Sequence, residues 1–254
     1  MISYIEFLGT HQKIDFASYI SAFGKLFNKK RFPNYNWIEV SSGALGPDML
    51  WLRGLQKSSW HVYNPRTKKG GACTAVQRFY DKLVMELSKK RPKMRKAGKY
   101  AAWLSHFIVD ALTPSHQEGR YKIKEPIKDW FDPHWDENKS PVLNFWKNHA
   151  LFEIRIALMY MFKKLNRAKM NKKFIKTCRQ KFRTDKVKEY IEKKSREVYK
   201  LKIYDVYKRL GFNKNVKMLI TRRLVPIMVS TVATVWRNAY IESLEIRKNA
   251  IHNT

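Results

Sequence analysis

The stretch HFIVDALTPSH, residues 106–116, carries three side chains of the types that bind metal ions: His106, Asp110 and His116. On an α-helix, residues four apart lie on one face, so the His106 imidazole and the Asp110 carboxylate can reach the same cation. Pro114 predicts the end of that helix, because a proline ring disfavours helical backbone in the preceding residue. His116 follows just beyond this end. The spacing indicates a metal site where a helix stops, rather than three unrelated polar residues of a core helix.

A second pair with the same spacing, His149 and Glu153, occurs downstream. Zinc combines histidine nitrogen with carboxylate oxygen at distances of about 2 Å. Either pair alone could be a hydrogen bond on a helix surface. Both carboxylates have apolar sequence neighbours, however, and a buried carboxylate is costly unless it is paired or metal-bound. Together with His116, the two pairs therefore predict a metal centre.

Most of the chain shows the three- and four-residue apolar spacing of amphipathic helices. Helices are predicted at 13–27, 74–90, 96–112, 142–165, 174–203 (as one or two helices) and 217–248. Pro226 either kinks the last of these helices or marks its start. Loop-rich segments are expected at 30–72 and 115–141, the second as an inserted loop. No strand pattern extends over more than a few residues, so the predicted class is all-α.

The composition favours one domain that covers residues 1–254. Apolar residues make up 44% of the chain and aromatic residues 14%, enough for a sizeable core. Only ten glycines and nine prolines occur, and no low-complexity linker interrupts the sequence. Cys73 and Cys178 are too far apart for a CxxC metal site and do not indicate a disulfide framework. We predict a single compact multi-helix domain with a zinc cluster between its helices.

No transmembrane segment is predicted. The longest apolar stretch, 224–236, has 13 residues between Arg223 and Arg237, whereas a helix needs about 20 residues to cross a bilayer. A buried core helix is expected there instead. The first ten residues, MISYIEFLGT, lack the basic start of a signal peptide and include Glu6. A cytoplasmic location, or a peripheral one at a membrane surface, is therefore expected.

The charge of the chain points to anionic partners. The formal net charge is +31, with 52 Lys and Arg residues against 21 Asp and Glu residues. The segment 155–223 alone has 24 basic and 5 acidic residues, a net charge of +19. Such a basic region is typical of proteins that bind nucleic acid, an anionic membrane surface or a phosphate-bearing substrate. The alternative is a solvated, lysine-coated helical face.

The motifs resemble the zinc-dependent phospholipase C family, whose fold is shared with single-strand-specific zinc nucleases. The family signature has His-x3-Asp-x5-His, with a proline two residues before the last histidine, and then a downstream His-x3-Glu. Residues 106–116 match the first part position for position, and residues 149–153 match the second. Three upstream elements of the family are also matched, by GTHQKI with His11, GPDM with Asp48 and SWHVYNP with His61.

The resemblance implies two or three zinc ions. The first ion would be held by Asp48, His61, His106 and Asp110. The second would be held by His116, His149 and Glu153, with positions open for water and a phosphate oxygen. The third would be bound by His11, with Asp110 bridging to the first ion. Secreted family members complete this third site with an N-terminal tryptophan, but no tryptophan precedes Trp37 here, so its full ligand set is not defined.

The resemblance also implies hydrolysis of a phosphodiester by metal-activated water, with phospholipase C activity on phospholipids as the leading hypothesis. Asp48 is the candidate for the residue that orients or deprotonates the nucleophilic water. The alternatives are a zinc-dependent nuclease or nucleotidase of the same fold, and a non-catalytic, zinc-stabilised protein that binds membranes or nucleic acid. Glu153, where the nucleases have aspartate, favours the phospholipase. The inserted loop would act as a lid or select the substrate.

Overall fold

The computed structural model describes residues 10–24, 32–42, 46–48, 58–117, 151–156, 158–159 and 186–252. Its α-helices are α1 (Thr10–Phe23), α2 (Tyr35–Ser42), α3 (Ala72–Ser88), α4 (Met94–Leu112), α5 (Val187–Tyr199), α6 (Ile203–Leu210), α7 (Lys214–Leu219) and α8 (Val225–His252). Residues 151–156 and 158–159 are also helical. Within the described ranges, β-structure is limited to one isolated bridge between Asn64 and Lys69. The predicted all-α class is confirmed.

Helices α3 and α4 form the centre of the fold. Apolar side chains recur three and four residues apart on α3, and those facing inward are almost fully buried, among them Val76, Leu83 and Leu87. The second half of α4 is buried on every side, from Leu104 to Leu112. A helix that is apolar all round has to lie inside the protein. This burial explains why the predicted metal-binding residues of α4, His106 and Asp110, are also deeply enclosed.

Helix α8 completes the core. The indole of Trp236 is fully buried, and its Nε1 donates a hydrogen bond to the backbone oxygen of Ala101 on α4 at 3.0 Å. The described stretch Lys214–Ala250 is long and apolar enough to cross a membrane, with a mean hydropathy of 1.4 in its most apolar window. In this structure, 61% of that window is buried inside the protein. The packing therefore agrees with the core helix expected at 224–236.

Pro226 follows a π-helical turn in the last helical segment. A π-helical turn, Ile220–Leu224, separates α7 from α8, and Pro226 is the second residue of α8. Proline has no backbone N–H, so it is tolerated in the first turn of a helix and is costly inside one. The backbone is right-handed helical on both sides of this turn, at Leu219 and Val225, so Pro226 lies directly after the π-turn within a continuous helical run and does not mark its start.

Two differences from the predicted helix boundaries have a clear physical reason. Helix α1 was expected at 13–27, but it ends at Phe23 because Gly24 adopts a left-handed conformation with φ of +62°. The predicted loop at 30–72 contains α2, a helix of eight residues in which only Ile38 and Ser41 are buried. So short a helix shows too little apolar periodicity to be detected. Of the helix predicted at 142–165, only residues 151–156 and 158–159 belong to the described chain.

Of the one or two helices predicted at 174–203, the residues from 186 onward are described. They form α5, and α6 begins at Ile203, after Lys202 in a left-handed conformation at φ of +53°. Lysines on these helices form ion pairs with nearby acidic residues, such as Lys194 with Glu197 at 2.7 Å and Lys202 with Asp205 at 3.3 Å. These acidic residues therefore pair with lysines close to them in sequence, and the net charge of the segment stays strongly positive.

Gly98 allows α2 to pack closely against α4. A Cβ atom at this position would lie 2.6 Å from Cβ of Trp37 and 3.2 Å from its carbonyl carbon. We expect Gly98→Ala to lower the free energy of unfolding by about 1–3 kcal/mol, because the helices would have to move apart. Urea denaturation measures this change. Lys90→Ala, at an exposed position between α3 and α4, is the control and should change stability by less than about 0.5 kcal/mol. Equal midpoints for the two variants would contradict the close packing.

Candidate metal centre

The centre begins with three buried side chains from two elements. His61 lies at the end of the 3-10 turn Ser58–His61, and His106 and Asp110 lie one turn apart on α4. Asp110 Oδ2 is 2.8 Å from His61 Nδ1 and 3.2 Å from His106 Nε2. The two imidazole nitrogens are 3.3 Å apart. Donor atoms around a tetrahedral zinc ion are spaced by about 3.3 Å, so this set fits a zinc ion.

Asp48 provides a fourth donor on the solvent side. Its Oδ1 lies 3.4 Å from His61 Nδ1 and 3.3 Å from His106 Nε2, and its side chain is 59% exposed. The other three donors are each at least 90% buried. The four residues predicted to hold the first ion are therefore brought together, with one open side that carries a carboxylate.

His11 lies near the second carboxylate oxygen of Asp110. Its Nε2 is 3.9 Å from Asp110 Oδ1, and its ring stacks on that of His106 with centroids 4.3 Å apart. The two oxygens of Asp110 thus face different imidazoles. His11, Asp48 and His106 also have donor atoms within 4.8 Å of one another. This geometry fits a carboxylate that bridges two cations, as the resemblance implies.

The site predicted for the second ion lies partly within the described residues. His116 Nε2 lies 2.7 Å from Glu153 Oε1, and Ser115 Oγ donates to the same carboxylate oxygen at 3.4 Å. The other ring nitrogen of His116 contacts the backbone oxygen of His61, which ties this pair to the first group. His149 lies outside the described residues, so its role stays a prediction.

The charges of the centre favour a bound cation. Although burial disfavours its charged form, Asp110 and Asp48 raise the pKa of His106 well above its ordinary value. Burial likewise opposes ionisation of Asp110, but the imidazoles of His106 and His116 hold its pKa well below the usual range. Burial and the charge of His106 together lower the pKa of His11 to about 4, although Asp110, Asp48 and Glu153 act in the opposite direction. The ionised carboxylates thus favour a protonated His106 in the metal-free protein, and a metal ion would take the place of that proton.

His116 is held in its protonated form without a metal. Burial disfavours the imidazolium, but Asp110 and Glu153 outweigh this effect and raise the pKa of His116 to about 9. The 2.7 Å contact with Glu153 is therefore an ion pair at neutral pH. Because a metal ion requires neutral imidazole, binding at this position releases a proton.

Asp15 is a buried acid near the centre that the spacing arguments did not include. It is 1% exposed and lies four residues after His11 on α1. Ser42 Oγ donates to its Oδ2 at 2.5 Å, and its Oδ1 is buried without a hydrogen-bond partner in the described chain. Burial raises the pKa of Asp15 to about 7, while Ser42, Ser105 and His106 act in the opposite direction. The four-residue spacing from His11 was the available signal.

Asp15 makes the stability of the metal-free protein depend on pH. Its folded pKa of about 7 lies above the unfolded value of 3.8, so the folded chain retains a proton that the unfolded chain loses. The contribution of Asp15 to stability is therefore largest below pH 4 and is lost as the pH rises through about 7. We expect Asp15→Asn to remove this loss and to stabilise the chelator-treated protein at pH 8, by on the order of 3 kcal/mol.

Thermal or urea unfolding of the chelated protein at pH 4 and pH 8 measures this effect. Asp205→Asn is the control, because Asp205 is 40% exposed and forms ion pairs with Lys202 and Lys208. This control should show no gain at pH 8. If Asp15→Asn destabilised the protein equally at both pH values, the charged form of Asp15 would be stabilised by contacts other than those described here.

The fold and the centre define an all-α protein with a buried cluster of imidazoles and carboxylates. No protein-family model and no curated protein matches the sequence. Solved structures with a similar fold include the alpha-toxin of Clostridium perfringens from avian strain SWCP, with a TM-score of 0.60 and 13% identity. Another is the alpha toxin of Clostridium absonum, with a TM-score of 0.58 and 14% identity. Each alignment covers 94% of this chain and 65% of the toxin chain. The protein therefore has an alpha-toxin-like fold and spans about 65% of the length of these toxins.

Proposed function

We propose that this protein is a zinc-dependent phosphodiester hydrolase of the phospholipase C type, with phospholipids as substrates. The position of Asp110 carries the proposal: it lies between His11, His61 and His106, with Asp48 on the exposed side. The alpha-toxin-like fold supports a phospholipase-like architecture. The family motifs of the sequence, from His11 to Glu153, point to the same class.

Bound zinc would supply two kinds of chemistry here, lowering the pKa of a water molecule and binding phosphate oxygens. Asp48, His61, His106 and Asp110 would hold one ion, and His116 and Glu153 would contribute to another, with His149 as a further proposed ligand. His11 and Asp110 would share a third. The buried carboxylate of Asp110 keeps the imidazoles oriented through contacts of 2.8 Å and 3.2 Å.

Asp48 is the proposed general base. Its carboxylate is the exposed member of the donor set, so water and substrate reach it from solvent. A carboxylate within hydrogen-bond reach of the nucleophilic water can accept its proton as the phosphodiester is attacked. The neighbouring imidazoles of His61 and His106 lie 3.3–3.4 Å from Asp48 Oδ1 and hold it at the edge of the centre.

Metal analysis and one assay panel test the proposal. We expect at least two zinc ions per chain and hydrolysis of choline or ethanolamine phospholipids that stops when a chelator is added. Single-stranded DNA is the parallel substrate, because a nuclease of the same fold would use the same centre. His116→Ala is expected to lose lipid hydrolysis. If the wild type cleaves DNA but does not hydrolyse lipid, and His116→Ala loses the DNA cleavage, the protein is a nuclease instead.

A further inference from the structure

A second basic surface lies on α3 and α4, outside the basic segment 155–223. Between positions 78 and 99 the sequence has nine Lys and Arg residues and two acidic ones. The helices place several of these cations directly over aromatic rings. We name this surface the cation–aromatic face and define it by Arg78, Lys82, Met85, Lys96 and Lys99 together with the rings of Trp60, Phe79, Tyr100 and Trp103.

The cations of this face contact the rings at distances typical of cation–π interactions. Lys99 Nζ lies 4.5 Å from the Trp103 ring centroid, and Arg78 Cζ lies 5.1 Å from that of Trp60. Lys82 Nζ is 5.2 Å from the Phe79 centroid and 5.8 Å from that of Tyr100. The rings thus hold a set of long cationic side chains in fixed positions on the surface.

The cations are also close to one another. Partial burial lowers the pKa of Lys82, and the charges of Arg78, Lys99 and Lys96 lower it further. One acidic group, Glu86, relieves part of this repulsion, with its Oε2 at 3.8 Å from Lys96 Nζ. Like charges held together in this way are stabilised by a polyanion that binds several of them at once.

An apolar side chain is exposed among these cations. Met85 is 59% exposed and lies on the same stripe of α3 as Arg78 and Lys82, because the three residues are spaced by four and three positions. Trp103 and Tyr100 are half-buried at the edge of the same surface. Cations, amphipathic rings and an exposed methionine are the components that the interface of an anionic bilayer accommodates.

The face adjoins the candidate metal centre. Lys99, Trp103, His106 and Asp110 follow one stripe of α4, and seven residues separate Lys99 from His106, a rise of about 10 Å along the helix. Trp60 immediately precedes His61 in the 3-10 turn. A surface that binds the face would therefore lie beside the centre.

We propose that the cation–aromatic face docks this protein on membranes that contain anionic phospholipid. The ammonium and guanidinium groups bind lipid phosphates, and Met85 and the edges of the half-buried Tyr100 and Trp103 rings enter the interface. Nucleic acid is the less favoured polyanion, because bases bind by stacking on open ring faces and these rings are covered by cations. The choice of lipid rests on the proposed function, but docking itself requires neither zinc nor catalysis.

Vesicle sedimentation tests the proposal with the full chain in the presence of chelator. The probes are vesicles of phosphatidylcholine with and without phosphatidylglycerol. We expect binding only to the anionic vesicles.

Replacing Arg78, Lys82, Lys96 and Lys99 by Gln together should weaken that binding by at least about 30-fold, since each cation near the surface contributes about 1 kcal/mol. The matched control replaces four exposed lysines around α5, Lys186, Lys188, Lys193 and Lys200, and should weaken binding less than about threefold. Equal losses in the two variants would overturn the assignment of this face.

A second pair of variants leaves the cation–π contacts intact. Met85→Asp places a negative charge in the middle of the face, and Met218→Asp places one on α7, where the methionine is 44% exposed. We expect Met85→Asp to weaken binding to anionic vesicles at least about fivefold and Met218→Asp to leave it almost unchanged. If Met85→Asp bound anionic vesicles as tightly as the wild type does, docking through this face would be contradicted.

Two further measurements separate this proposal from the proposed function. Hydrolysis of a short-chain, monomeric phospholipid by the zinc-loaded protein should be the same in the four-cation variant and the wild type. Absence of hydrolysis, together with vesicle binding that depends on the face, would refute the proposed function and leave the docking surface standing. If the four-cation variant loses binding to a single-stranded oligonucleotide and keeps its binding to vesicles, the face is a nucleic-acid site and the membrane proposal is wrong.

Discussion

Replacing Asp110 by Asn is expected to lower zinc affinity by more than about 100-fold, since even changes beyond the ligand shell weaken metal sites by 10- to 100-fold. Asp110 is 2% exposed, and its oxygens approach His61, His106 and His11. The substitution keeps the shape of the side chain but removes the negative charge shared by these imidazoles. We expect hydrolysis to fall by at least about 1,000-fold at zinc concentrations that saturate the wild type.

Zinc affinity is measured by competition with a chromophoric chelator. Activity is measured with the phospholipid identified in the assay panel. Asp205→Asn also replaces a carboxylate by an amide, but at an exposed position on α6 that pairs with lysines. It should alter neither quantity. If Asp110→Asn bound zinc as tightly as Asp205→Asn, Asp110 would be a structural partner of the histidines and the proposed centre would be wrong.

Replacing Asp48 by Asn should separate catalysis from metal binding. We expect kcat to fall by about 100- to 10,000-fold, the range typical of a lost general base. Zinc affinity should fall less than in Asp110→Asn, because Asp48 is 59% exposed and contributes one oxygen at the edge of the donor set. The neutral amide oxygen remains available as a ligand but accepts a proton poorly.

Measurements of kcat and zinc content on the same preparation check this prediction. Asp48→Glu is the matched variant, because it keeps a carboxylate on a longer side chain, and it should retain more activity than Asp48→Asn. A variant Asp48→Asn with full zinc occupancy and unchanged kcat would exclude Asp48 as the base. A variant that loses its zinc as completely as Asp110→Asn would show that Asp48 is mainly a ligand.

Local sequence spacing was sufficient to predict the parts of the molecule that a single helix determines. The class, the approximate range of α4 and the co-facial pair His106 and Asp110 all follow from helical periodicity and from Pro114. The pair is observed at 3.2 Å. Such features depend on residues within one or two turns of one another, and the geometry of an isolated helix is known in advance.

The same spacing signal was present but not used for Asp15, which follows His11 by four residues on α1. Its burial comes from the packing of α1 against other helices, and Ser42 on α2 provides its hydrogen bond. Helix α2 itself was expected as loop, because an eight-residue helix has little periodicity and is stabilised by its contacts with α4. The close approach of Trp37 to Gly98 shows how tightly these two helices fit together.

By itself, the sequence determined which residues could bind metal, the helices that carry many of them, and the overall excess of basic charge. Only the tertiary structure decided which donors meet: it places His11, Asp48 and His61, from separate segments, around Asp110, and it places the cations of α3 and α4 over their aromatic rings. The physical reason is that helical geometry acts over a few residues. Contacts between distant segments depend instead on how whole helices pack against a shared core, which no local spacing specifies.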